Sequence, residues 1–227
     1  MVGASLARSL NGSGLRIGLV EAVPLHDEKQ PSYDARAIAL SWGSRCIFDG
    51  MGVWQAMERE TVTPIRTIKV SDRGHFGATR MQAHEEGVAA LGYVAEAAVI
   101  GRVLADGLGE LPELELFCPA TLERISIEQD AAHVTLRQGG ELLSLTARLV
   151  VAADGGRSTV REQLGGKTFR RGYGQTAVIA SVISDRPHDN VAFERFTDSG
   201  PLALLPNTAP AWMEGAAAGE RRWSMVW

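Results

Sequence analysis

The chain has 227 residues, 45% of them hydrophobic and 22% charged, enough to bury a substantial core as one large domain or two small ones. Its 23 basic and 27 acidic residues leave a net charge of -4, which excludes the basic field that binding to a phosphate backbone requires. Cys46 and Cys118 lie far apart with no ligand-spaced histidine, so neither a disulfide framework nor a zinc site is expected, and a reducing cytoplasm fits best. The first residues lack the pattern of a signal peptide and no apolar run reaches the roughly 20 residues of a membrane-spanning helix, so membrane association is expected to be peripheral.

In chain order, small and apolar residues at helical spacing predict a helix from Gly3 to Leu10, stopped by the turn residues Asn11 to Gly14. Leu15 to Val20 is mostly apolar and predicts a strand buried on both faces, ending on Glu21. Pro24 to Ser32 predicts a loop, and Ala35 to Met51 a helix interrupted at Gly43. Strands are expected at Ile65 to Ser71 and Ala89 to Ala95, and a helix at Ala98 to Leu108. Strand-like runs follow at Glu113 to Cys118, Leu122 to Glu128 and His133 to Arg137, the last joined through Gly139 and Gly140 to Glu141 to Ala147.

The apolar run Leu149 to Ala153 predicts a buried strand, leading through Asp154, Gly155 and Gly156 to Ser158, which can cap a helix ending near Leu164. Beyond Gly172 the texture turns strand-rich: Thr176 to Ile183, Val191 to Phe196, Pro201 to Leu205 and Arg222 to Trp227. A domain boundary is therefore expected near residue 170, and Ala209 to Gly219 reads as a small-residue loop.

Two elements carry chemistry. Gly3 stands where the last glycine of a dinucleotide-binding G-x-G-x-x-G loop would stand, and Glu21 follows at a strand end, where an acidic residue holds a ribose hydroxyl. The string Val150 to Arg161, VVAADGGRSTVR, sets an acid and a glycine turn before a helix, an arrangement expected to aim backbone N–H groups at an anion. Gly155 is required if that turn has a positive φ. Asp72-Arg73-Gly74-His75 reads as a turn between strands rather than as a catalytic base.

VVAADGGRSTVR resembles the A-D-G-x-x-S-x-V-R motif of the FAD-dependent aromatic hydroxylase (p-hydroxybenzoate hydroxylase-like) superfamily. The strings Asp34 to Leu40, Val70 to His75, Ala192 to Phe196 and Gly200 to Ala203 resemble the ubiquinone-biosynthesis hydroxylases, in particular those acting on 2-octaprenyl-6-methoxyphenol. The resemblance implies an α/β protein with a Rossmann-like FAD-binding domain over residues 1–170, to which 65–95 need not belong, and a β-rich substrate domain beginning at 171–227. It implies FAD contacts at Gly3, Glu21, Arg36, Arg102, Asp154 and Gly155, and a substrate-side strand at Pro201 to Leu205.

The resemblance further implies NAD(P)H or another electron donor, molecular oxygen as co-substrate, and a polyprenylated phenol as substrate. A ubiquinone-biosynthesis protein complex and peripheral contact with the inner membrane are implied in the same way. No catalytic side chain is assigned, because the chemistry of this family rests on the cofactor. Met1 aligns with the interior of the glycine loop, and the segment closing over the flavin has no counterpart before Trp227. The chain is therefore expected to be truncated at both ends. A sister hydroxylase of another phenol and a non-catalytic fragment are the competing readings.

Overall fold

The protein is described by a computed structural model over residues 1–25, 36–208 and 216–227. The chain divides into two units, the first comprising residues 1–31 and 104–173, the second 32–103 and 174–227. Residues 65–95 fall in the second unit.

The first unit opens with helix α1 (Val2–Ser9), whose one buried residue is Ala7. The helix stops because Gly12 and Gly14 take positive φ, and the Glu113 carboxylate accepts from both of their N–H groups at 3.0 and 3.1 Å. Strand β1 (Ile17–Val20) pairs in parallel with β7 (Leu114–Phe117), with Ile17 opposite Leu114 and Val20 opposite Phe117. Strands β8 (Thr121–Ile127), β9 (Ala132–Gln138) and β10 (Glu141–Ala147) form an antiparallel meander, whose last turn uses Gly139 and Gly140 at positive φ as the glycine pair predicts. Phe117, Ala120 and Leu136 form the core here, with Leu122, Val134, Leu143 and Leu145 packed around them. Short helix α5 (Thr159–Gln163) follows, and its Gln163 side chain accepts from the Ile125 N–H of β8 at 2.9 Å.

In the second unit, β2 (Ala37–Ser41), β6 (Gly92–Glu96) and β3 (Val62–Ile65) form an antiparallel sheet in the order β2-β6-β3. Helices α2 (Trp42–Gly50), α3 (Trp54–Glu60) and α4 (Ala97–Ala105) join these strands to the rest of the chain. A six-stranded sheet runs β11 (Ile179–Ile183), β14 (Arg222–Val226), β13 (Gly200–Pro206), β12 (Val191–Thr197), β4 (Thr67–Asp72), β5 (Ala78–Gln82). Ile65, Val94 and Ala192 are the buried centre of one core cluster, with Ala37, Ile68 and Leu205 against them.

The expected helix over Ala35 to Met51 is corrected. Residues 26–35 lie outside the described residues, Ala37–Ser41 is a strand, and only Trp42–Gly50 is helical. A five-residue ladder with β6 outweighs the helix propensity of alanine, and Ser41 ends the strand by capping α2, accepting from the Ser44 N–H at 3.1 Å. The single strand expected from Ile65 to Ser71 is two, broken at Arg66.

Leu149 to Ala153 is also corrected: no strand among the described residues pairs with it, and Leu149 and Val151 are 78% and 56% exposed. An apolar run becomes a buried strand only where a neighbour takes its hydrogen bonds. Of the loop expected at Ala209 to Gly219, residues 209–215 lie outside the described residues, and a 3₁₀ helix spans Ala216–Arg221. Among the described residues no helix is long and apolar enough to cross a membrane, which says nothing of membrane strands.

Candidate functional site

Gly3 lies in the first turn of α1, where a Cβ would meet Leu19 Cδ1 of β1 at 3.3 Å and Ala153 Cβ at 3.5 Å. The helix thus approaches both β1 and the segment before Asp154 closely, the role that the last glycine of a dinucleotide loop serves. Leu19 ends in a flexible methyl that can yield by a few tenths of an ångström.

Glu21 follows directly on β1. Its N–H donates to Phe117 O at 3.0 Å and its carbonyl accepts from the Ala120 N–H at 2.8 Å, so its backbone extends the parallel pairing by one residue. One carboxylate oxygen accepts from the Val23 N–H at 2.9 Å. That bond folds the side chain over the end of the strand. Ligands of α/β sheets bind beyond the carboxyl ends of parallel strands, and a carboxylate held there suits the vicinal hydroxyls of a ribose.

Asp154 and Gly155 form the turn before α5. Gly155 has φ +80° with no atom within 4 Å of where a Cβ would stand, so backbone conformation, and not space, demands glycine. Asp154 Oδ2 accepts from the Val160 N–H at 3.2 Å, and Ser158, the N-cap, accepts from the Arg161 N–H at 3.0 Å. Slight burial pushes the Asp154 carboxyl up, but bonds from the Ser158 hydroxyl and from the N–H groups of Val160, Asp154 and Thr159 outweigh it and bring the pKa below the usual aspartate value. The expectation that this helix end aims N–H groups at an anion is therefore corrected. Asp154 and Ser158 already occupy the donors of its first turn.

The second unit carries the two predicted arginines. Arg36 precedes β2, and its carbonyl accepts from the Ala97 N–H at 2.9 Å where α4 begins. The preceding Asp34 and Ala35 of its motif lie outside the described residues. Arg102, on α4, forms a half-exposed ion pair with Glu60 of α3 at 2.6 Å. His75 sits in the turn after β4, its Nδ1 at 2.8 Å from Asp72 Oδ2 and its side chain largely exposed, which is turn chemistry as expected.

A buried ion pair escapes sequence reading. Arg222 of β14 donates to Glu96 Oε1 at 3.0 Å and to Ser181 Oγ at 2.7 Å, with both charged side chains more than nine-tenths buried. The partners stand 126 residues apart. No local pattern marks them. Glu96 is opposite Ala37 in the β2–β6 ladder, so the pair anchors the strand end beside Arg36.

The residues fit FAD on the adenosine side: a carboxylate at the end of a parallel strand, a close glycine approach behind it, and a positive-φ turn beside a second carboxylate. A family model described as an FAD binding domain matches residues 1–209. Ubiquinone hydroxylase UbiL of Rhodospirillum rubrum is 33% identical over 211 residues, covering 91% of this chain and 47% of that protein. The 3-demethoxyubiquinol 3-hydroxylase of Escherichia coli is 30% identical over 209 residues, covering 91% and 52%. The chain spans about half the length of the curated relatives it matches.

Among solved structures, p-nitrophenol 4-monooxygenase PnpA of Pseudomonas putida superposes with a TM-score of 0.72 at 18% identity, covering 100% of this chain and 54% of that one. The flavin-dependent monooxygenase PieE, solved in complex with FAD and substrate, gives 0.68 at 16%, covering 99% and 40%. These likenesses establish the fold. With the family model spanning nearly its whole length, the chain belongs to the FAD-binding domain family.

Proposed function

We propose that the chain supplies FAD-binding and substrate-side parts of a monooxygenase that hydroxylates the aromatic ring of a polyprenylated phenol in ubiquinone biosynthesis. In this reading the first unit holds the adenosine half of FAD. Glu21 accepts from the ribose hydroxyls, Gly3 admits the close approach of α1, and Asp154 with Gly155 shapes the turn beside the pyrophosphate and ribityl chain. Arg36 and Arg102 serve as further contacts to the cofactor, Arg102 by leaving its exposed pair with Glu60, an exchange that costs little because such pairs contribute only about 0 to 1 kcal/mol. The six-stranded sheet, including β13, lines the substrate side.

FAD, reduced by a nicotinamide or other donor, supplies the activation of molecular oxygen that ring hydroxylation needs. The chain's own residues bind and orient it. The observation that carries the cofactor reading is the Glu21 carboxylate, held by Val23 N–H at the carboxyl end of a parallel strand. The substrate reading rests on the relatives' names, and with it come peripheral membrane contact and a biosynthetic protein complex.

The test has two arms. Titration of the purified chain with FAD, followed by flavin fluorescence, should show saturable binding that riboflavin, lacking the adenosine, does not reproduce. The whole protein, given FAD, reductant, oxygen and a short-chain prenylated phenol in detergent, should yield a product one oxygen heavier. Equal turnover of an unprenylated phenol would move the assignment to a sister hydroxylase, and failure to bind FAD would overturn the cofactor reading.

A further inference from the structure

The sheet β2-β6-β3 packs on the six-stranded sheet through apolar side chains, Ile65, Val94 and Ala192 at the centre with Ala37, Ile68 and Leu205 around them. Apolar contact of this kind holds two layers together without fixing direction. Among the described residues one ion pair joins the same two sheets, Glu96 at the end of β6 with Arg222 at the start of β14. Arg222 Nη2 donates to Glu96 Oε1 at 3.0 Å and Nε to Ser181 Oγ of β11 at 2.7 Å, while the buried Nη1 has no acceptor among the described residues.

Stability does not account for this pair. Two charges taken out of water lose hydration that their attraction only partly returns, and apolar residues of similar volume in their place often leave a protein as stable or more so. A guanidinium with Nη1 left unpaired recovers still less. What the pair supplies is direction, at a junction from which both of the proposed cofactor arginines are held. Glu96 is opposite Ala37 in the β2–β6 ladder, and the next residue, the fully buried Ala97, donates its N–H to Arg36 O at 2.9 Å. Ala97 also opens α4, which carries Arg102. All of these residues lie in the second unit.

We propose that Glu96 and Arg222 are positioning residues of the cofactor site: the pair pins the β6–α4 junction to β14 and so fixes where Arg36 and Arg102 stand. Neither Glu96 nor Arg222 is assigned a contact with FAD. The inference rests on the cofactor roles of Arg36 and Arg102 proposed above. Contacts to a ligand keep their geometry to about 0.5 Å only when neighbouring packing and hydrogen bonds hold them, and here the holding group is a directed, buried ion pair. β14 is hydrogen-bonded to β13, the proposed substrate-side strand, so the same pin ties the substrate sheet to the two arginines.

The decisive variant replaces both charges with apolar side chains of similar size, Glu96→Leu together with Arg222→Met. Its thermal melt is expected at or above that of the unmodified chain, while FAD, titrated by flavin fluorescence, binds about ten-fold more weakly. A pair that only holds the fold would instead let affinity follow stability. Arg36→Gln supplies the second readout. It should weaken FAD in the unmodified chain and have little further effect in the apolar double variant, where Arg36 is already displaced. If the double variant does not fold, Glu96→Gln, which keeps the shape and a hydrogen bond, is carried through the same cycle with Arg36→Gln. FAD affinity unchanged in a folded variant overturns the proposal, as do effects of Arg36→Gln and of the pair that multiply independently. An unmodified chain that binds no FAD removes the cofactor reading and the pin with it, whereas binding indifferent to the pair removes the pin alone.

Discussion

β1 and the run Leu149 to Ala153 read almost alike as sequence, short apolar stretches that each deliver a carboxylate to a turn, yet they fold differently. β1 is paired with β7 along its length, whereas Leu149 to Ala153 has no paired strand among the described residues and leaves Leu149 and Val151 largely exposed. The carboxylates do not share this contrast. Glu21 and Asp154 are each held by a backbone N–H a few residues ahead, Val23 and Val160 respectively. An apolar run states which faces a segment can bury, but the turn that follows it sets where its acid points.

The largest effect that can break this comparison is in amide exchange. The bonded N–H groups of Ile17 and Glu21, which donate to Glu113 O and Phe117 O, should exchange about 100-fold or more slowly relative to those of Leu149 to Ala153, an opening free energy of about 3 kcal/mol. Comparable protection measured by mass spectrometry would mean that the two runs are equally anchored.

Cofactor affinity comes next. Asp154→Ala removes a charge-assisted bond of about 1.5 to 3 kcal/mol and with it one cap of α5, so FAD should bind about ten-fold or more weakly. Glu21→Gln keeps the shape and loses the charge, and should weaken FAD by a smaller factor while the far-ultraviolet circular dichroism is unchanged. If Asp154→Ala leaves the FAD titration as it was, Asp154 serves α5 alone. A smaller effect separates these roles: Ser158→Ala should cost about 1 kcal/mol of stability in a denaturant melt through its lost cap, with FAD affinity nearly kept.

What was legible in the sequence follows the range of the interactions concerned. The Ser158 cap, the positive φ of Gly155, the glycine pair between β9 and β10 and the turn at His75 all depend on neighbours within a few residues, and each stands where its pattern predicts. The alanines of Ala37–Ser41 favour a helix, and only the pairing of this segment with β6, more than fifty residues on, makes it a strand. The Glu96–Arg222 pair and Gly92, where a Cβ would stand 2.5 Å from Leu40 O, are likewise products of distant contacts. For the candidate site, the sequence supplied Glu21 and Asp154 and the glycines beside them. The occupation of the α5 donors by the chain's own side chains depends on geometry that no spacing reveals.

The smallest effect is on pH, and it sets the Asp154 turn against the second unit. The Asp154 pKa is depressed on folding, so its contribution to stability is complete above the unfolded value of about 3.9 and is lost as the pH falls through the folded value. His188 is also depressed, by burial that Glu220 and Asp189 only partly oppose, with its Nδ1 accepting from the Asn190 N–H at 3.1 Å. A histidine kept neutral by folding lets the unfolded chain take the proton first, so stability falls from about pH 6.5 downward until the folded value is reached. The second unit should therefore begin to weaken first on acidification, His188 acting from about pH 6.5 downward and Asp154 only as the pH falls through the unfolded carboxylate value of about 3.9 and below. Trp223 meets the His188 ring edge-on at 5.8 Å and reports the first event by its fluorescence. In thermal melts between pH 7 and pH 3, His188→Gln should flatten the upper part of the slope, and Asp154→Asn only the lower part. A variant that flattens the other's range would show that the two units share one titrating network.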